Sequence, residues 1–186
     1  TAERAYASLE GAPVAQLALE FSVGAGGWLD WLPQETILFN RSNLARRTTV
    51  NLASEAGCLL VESLVLGRAA MGERVDSVQF SDHRQILRAG RPLWIEPLGF
   101  GADALGQPAL LPERALATLV LVDRGAEDAL GPVRALAFDD VTWAASAFDG
   151  KLVIRLQAAD GWPLKRALMA LLTTLRRAAL PRVWQI

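Results

Sequence analysis

Three glutamates in this chain stand where a carboxylate needs a physical reason. Glu35 follows a Pro-Gln pair, Glu62 interrupts the apolar run Cys58-Leu-Leu-Val-Glu-Ser-Leu-Val-Leu, and Glu73 ends Gly-Arg-Ala-Ala-Met-Gly-Glu. A carboxylate inside an apolar strand must face water or find a partner, because burying it alone is costly. Glu62 is therefore either an outward-facing strand residue or half of a structural ion pair with Arg68, or it has a sharper role. In the sharper reading Glu35, Glu62 and Glu73 line a polar passage or interface where oxygen ligands touch a hard or borderline cation transiently. Oxygen contacts with few imidazoles or thiolates hold such a cation weakly, which suits passage better than storage. A competing reading makes Glu35 and Glu73 the acid–base pair of a β-rich hydrolase, although no cluster of sugar-stacking aromatics surrounds them. A third is a plain β-rich structural or binding module.

Other chemistry is scarce. Cys58 is the sole cysteine and His83 the sole histidine, which excludes a disulfide framework and a Cys/His metal cage built within one chain. Cys58 reads as an inert buried thiol and His83 as a surface turn or strand residue. There is no phosphate-binding G-x-x-x-x-G-K-[ST] loop and no G-x-S-x-G elbow, so no catalytic residue is assigned. Gly67 and Gly72 bracket Arg-Ala-Ala-Met and mark a turn with positive φ or a close backbone approach. Arg68 can fork onto a carboxylate and hold that turn in one geometry. Trp28 and Trp31 fill a core or mark a binding surface. Arg46-Arg47 reads as a solvated strand end or loop.

The elements that must position these residues are mostly strands. Leu17, Leu19, Phe21 and Val23 alternate with polar or small residues over 15–23, predicting a half-buried strand. Short strands follow at Ile37–Phe39 and from Arg47, where Thr48, Val50 and Leu52 alternate against Arg47, Thr49 and Asn51. Runs at 58–66, 77–87 and around Leu93 have strand composition, and 116–122 fits a strand or a helix. Gly99 to Pro112 reads as a loop, and 126–136 as a short helix interrupted at Gly131-Pro132. Asp149-Gly150 between two apolar-patterned runs is a strong hairpin signal. Asp160 then caps an amphipathic helix whose Leu164, Leu168, Leu171, Leu172 and Leu175 share one face, ending near Leu180 before Pro181. With 52% hydrophobic and 21% charged residues, the chain suits one compact β-rich domain. A net charge of −1 gives no pull toward nucleic acid. The longest apolar run is too short to span a membrane, no signal peptide is read, and a reducing cytoplasm is the natural compartment.

At Gly27-Trp-Leu-Asp-Trp-Leu-Pro-Gln-Glu-Thr-Ile-Leu-Phe the chain resembles the UreD/UreH family of urease accessory proteins. The likeness continues through Val61-Glu62 and Gly67-Arg-Ala-Ala-Met-Gly-Glu73, and returns in the strand–turn–strand Phe148–Leu156, the leucine-rich helix and Leu180-Pro-Arg-Val-Trp. Thr1-Ala-Glu-Arg-Ala-Tyr6 matches as well, so the resemblance covers essentially the whole chain in family order. It implies a mainly β fold, a β-helical or stacked-sheet body with one or two C-terminal helices. Residues 1–186 are expected to form a single domain lacking the family's N-terminal strands, in a truncated or incompletely recorded chain. It further implies a non-enzymatic metallochaperone scaffold for nickel insertion into urease. Expected partners are a UreF-type accessory protein, a UreG-type GTPase and apo-urease, and a homodimer within that complex is compatible with it. No tightly bound cofactor is implied, only transient Ni²⁺. The candidate positions carried over are Glu35, Glu62 and Glu73 for metal passage, with Trp28, Trp31, Arg68, Met71 and Gly72 for partner binding or structure.

Overall fold

A computed structural model describes residues 4–5, 14–107, 111, 113–176 and 178–185. The chain winds alternately through two stacked sheets. Strands β1 (Arg4–Ala5), β3 (Trp28–Trp31), β4 (Thr36–Leu38) and β6 (Gly57–Leu66) belong to the first sheet. Strands β2 (Ala15–Val23), β5 (Ser42–Leu52) and β7 (Val78–Arg88) belong to the second. Neighbours within each winding run are parallel: β1 with β4, β3 and β4 with β6, β2 with β5, β5 with β7. The chain crosses to the other sheet between parallel partners, as a coiled ribbon must, since parallel strands need a crossover.

Antiparallel strands finish both layers. β8 (Arg91–Phe100) folds back on β7 and ends the second sheet. β9 (Ala115–Val122), β11 (Lys151–Ala158) and β10 (Thr142–Phe148) extend the first sheet beyond β6 in that order. The body is mainly β and stacked, as expected. The 116–122 run resolves as a strand because β6 and β11 pair with its two edges. The Asp149-Gly150 hairpin forms with φ of +49° and +71°, the positive pair that a two-residue type I′ turn demands. Two readings need correction. Gly131-Pro132 does not interrupt its helix; both sit within the first turn of α1 (Leu130–Arg134), where a missing N–H costs nothing.

The other correction concerns the C-terminal helix. α2 (Gly161–Leu175) starts at its Asp160 cap, which accepts the Gly161 N–H at 2.7 Å, but stops five residues before Leu180. Arg176 turns extended and sends Nε and Nη2 to Asp30 Oδ2 at 2.9 and 2.7 Å, while its Nη1 binds the carbonyls of Ala178 and Ala179. The chain wraps this guanidinium and cannot also continue as helix. Arg177 lies outside the described residues, as do all of the Thr1–Tyr6 match but residues 4–5 and part of the Gly99–Pro112 segment.

α2 covers the outer face of the first sheet, so β6 is buried on both sides and all ten of its residues are buried. Leu59, Val61 and Val65 pack with Leu164, Leu168, Leu171 and Leu172 of α2. On the inner face, Cys58 and Leu60 join Val50, Leu52, Ile86 and Trp94 in one apolar cluster, while Leu64 and Leu66 join Leu38, Leu44 and Phe80 in another. Residue 62 falls between the two. Among the described residues no helix is long and apolar enough to cross a membrane.

Candidate functional site: a charged seam between the sheets

Strands of both sheets place polar side chains in the gap between those two clusters. β6 gives Glu62, β5 Arg46, β7 Asp82 and Arg84, β8 Glu96, β9 Thr118 and β11 Arg155. The charges alternate in one chain. Arg46 Nη1 meets Glu62 Oε2 at 2.8 Å, and its Nη2 and Nε reach Asp82 at 2.8 and 3.2 Å. Arg84 bridges Asp82 at 3.2 Å and Glu96 at 3.0 Å, and Arg155 closes on Glu96 at the exposed end. Neutral donors and acceptors complete the set. Trp31 Nε1 donates to Glu62 at 2.8 Å, Thr118 Oγ1 to Glu96 at 2.9 Å, and Arg46 Nη1 to Thr36 Oγ1 at 3.0 Å.

Three cations and three anions cancel, and the Glu62, Arg46, Asp82 and Arg84 side chains are each at least 96% removed from solvent. Such a set persists only when nearly every lone pair and N–H is matched. The seam opens into a cavity of about 650 Å³ lined by Arg46, Glu62, Asp82, Arg84, Glu96 and Arg155, with Trp143 and Leu116 among its apolar walls.

Burial pushes the Glu62 carboxyl above the ordinary value of 4.5, with Arg46 and the Trp31 hydrogen bond opposing it. Because the folded value is raised, the native state holds this proton more tightly than the unfolded chain. The resulting stability is complete below the unfolded value and is lost as pH rises through the folded one. Wild-type protein should therefore lose stability relative to Glu62→Gln as pH climbs from about 4.5. Urea titrations of both proteins across that range check it, and a constant difference would contradict it.

The partner expected for Glu62 needs correction. Arg68 pairs instead with Glu73, Nε to Oε2 at 2.8 Å, and Glu62 pairs with Arg46. Arg46 is not the solvated strand end that its sequence suggests: it is 6% exposed and central to β5. The signal was in the sequence: extending the Thr48, Val50, Leu52 phase backward by one step turns Arg46 inward. The same rule applied to Val78, Phe80 and Ile86 turns Asp82 and Arg84 inward.

The three glutamates occupy separate places. Glu35 is half-buried, one residue before the Thr36 that accepts from Arg46. Glu73 lies in the loop beyond β6, which begins five residues and roughly 16 Å along the strand from Glu62. Its carboxylate accepts Arg68 Nε, Arg68 N–H and Asn40 N–H, and the Arg68 bond leads in holding it below the usual glutamate range. A carboxylate held ionised in this way is a poor general acid. Among the described residues no group of three or more His, Cys, Asp or Glu is gathered to hold a metal ion. Trp28 is exposed and donates to Asp30, whereas Trp31 is half-buried against Phe21 and holds Glu62. Cys58 is fully buried, its thiol pushed up to about 12 by desolvation. His83 is a half-exposed residue of β7.

This arrangement can be set beside known proteins. A family model described as UreD urease accessory protein matches residues 1–185. The chain belongs to the UreD family. It is 59% identical over 190 residues to urease accessory protein UreD of Cereibacter sphaeroides (strain ATCC 17025 / ATH 2.4.3), covering 100% of this chain and 68% of that protein. It is 49% identical over 191 residues to the protein of that name from Paracoccus denitrificans (strain Pd 1222), covering 100% and 68%. Against the Rhizobium etli protein the identity is 43% over 189 residues, covering 99% and 68%. The family resemblance read from WLPQETILF and GRAAMGE therefore holds along the chain, and both motifs flank the seam: the first carries Trp31 and Thr36, the second follows β6.

Proposed function

We propose that this UreD-family chain is a non-catalytic scaffold for urease maturation, assisting nickel insertion in the cytoplasm in complex with a UreF-type protein, a UreG-type GTPase and apo-urease. Kinship with proteins named urease accessory proteins supports the class of role. The observation that carries the residue-level reading is the seam: three carboxylates, Glu62, Asp82 and Glu96, reach one cavity, and each is already neutralised by arginine. Ni²⁺ arriving there competes with guanidinium for every oxygen it touches. No site along the row is deep enough to trap the ion, so contacts are brief and cargo moves on. Glu35 and Glu73 offer further oxygens elsewhere on the route, and Trp31 keeps Glu62 aimed along the seam.

The test is a reconstitution of apo-urease with its accessory proteins and Ni²⁺. Glu62→Gln preserves size and still accepts from Trp31 but removes one anionic contact. Bound nickel and urease activity should fall several-fold while the accessory complex still assembles on size exclusion. Full nickel loading with both Glu62→Gln and Glu96→Gln would refute the seam as a route.

A further inference from the structure

The cations of the seam are not equally fixed. The Arg46 and Arg84 side chains are 4% and 2% exposed, and each bridges two carboxylates, so neither can leave without stranding buried anions. Arg155 differs. Its side chain is 60% exposed, and its one partner among the described residues is Glu96 Oε2, which it touches through Nη2 alone. An exposed pair of this kind holds a side chain weakly, because water screens the charges and a long side chain loses entropy on pairing. The strand register gives the guanidinium somewhere else to go. Arg155 stands between Thr118 of β9 and Ala144 of β10. On the β10 side Thr142, Ala144 and Ser146 form an exposed row of small residues, and the Ala144 methyl leaves room to turn that way.

Glu96 is held in place without Arg155. Its Oε1 accepts from Arg84 Nη2 at 3.0 Å and from Thr118 Oγ1 at 2.9 Å, and its side chain is 13% exposed. Once Arg155 turns away, Oε2 is the one carboxylate oxygen of the seam with no donor, on a residue that lines the cavity of about 650 Å³. Charge then decides what a cation meets. With Arg155 seated the row is neutral and offers a dication no net attraction. With Arg155 turned outward the row carries one net negative charge, placed at its solvent end.

We propose that Arg155 gates the seam: it swings off Glu96 so that a divalent cation enters against Glu96 Oε2, and it reseats when the ion has moved on. The gate rests on the metal-passage role proposed above and places the entry of that route at Glu96. Calorimetric titration of the full chain with a Ni²⁺ salt tests it. Arg155→Gln should bind Ni²⁺ about ten-fold more tightly than wild type, the effect of removing one cation a few ångströms from a dication, with thermal melting unchanged. Arg155→Lys keeps the charge and can replace the single N–H contact, so it should bind as weakly as wild type. Adding Glu96→Gln to Arg155→Gln should abolish the gain. Arg155→Gln protein that binds Ni²⁺ no more tightly than wild type, or a gain that survives loss of the Glu96 carboxylate, overturns the proposal. The gate and the route fail separately. Nickel delivery lowered by Glu62→Gln beside an ineffective Arg155→Gln would remove the gate and keep the route. Tighter binding by Arg155→Gln beside full urease loading with Glu62→Gln and Glu96→Gln would keep the entry site and remove the route.

Discussion

Arg46→Ala lowers the unfolding free energy by about 3–5 kcal/mol, the range seen when one partner of a buried ion pair is removed. Glu62 is ion-paired with Arg46 and accepts the Trp31 hydrogen bond, and Arg46 also grips Asp82 through two nitrogens. Its truncation leaves an excess of buried negative charge and a void in the inward row of β5. The double change Arg46→Met with Glu62→Leu should cost much less, because the charge goes with its partner and Asp82 keeps Arg84. Urea denaturation of wild type and both variants decides this. If the double variant is as unstable as Arg46→Ala, the loss arises from shape and not from unpaired charge.

Trp184→Ala should have an effect of similar size for a different reason. Trp184 is 1% exposed, packs into the core beneath α2, and donates Nε1 to the Leu32 carbonyl at 3.0 Å. Removing the ring opens a large cavity and strands that carbonyl, with an expected loss of about 3–5 kcal/mol. Trp184→Phe keeps most of the volume and loses the N–H, so it should cost about 1 kcal/mol for the hydrogen bond plus a small packing deficit. Denaturant midpoints with unchanged slopes measure both. Equal losses in the two variants would place the whole effect in the hydrogen bond. The same residue ties the last turn of the chain to the link between β3 and β4, near the WLPQE motif.

The strands were legible because one face of each is apolar and the other is not. The 15–23 alternation and the Asp-Gly hairpin appear in the structure at the positions the pattern gave them. Tertiary contacts decided the places where the reading stopped short. α2 ends early because Asp30, far away in sequence, captures Arg176. β5 is longer than its apolar part because Arg46 and Ser42 are buried members of the inward row. A pattern argument that treats arginine as an outward residue breaks the strand there. Glu62 was visible as an anomaly, but its partner was not, since periodicity says which face a residue takes and nothing about which strand lies opposite. Arg68, nearer in sequence, does not meet Glu62 because β6 continues to Leu66 and carries the following loop out of reach.

The seam also bears on how the sheets find their alignment. Sliding β5 along β7 by two residues leaves every inward residue inward, and the apolar rows tolerate the exchange because Leu44, Val50 and Leu52 are near equivalents. The charged row does not. In the native pairing Arg46 stands opposite Asp82. A slip one way sets Arg46 beside Arg84, and a slip the other way sets it beside Phe80 and leaves Asp82 facing Thr48. Either misalignment buries unmatched charge, whereas a uniformly aliphatic interior would accept all three. The chain thus gives up some of the stability an oily core would offer and gains a single admissible stagger between its coils.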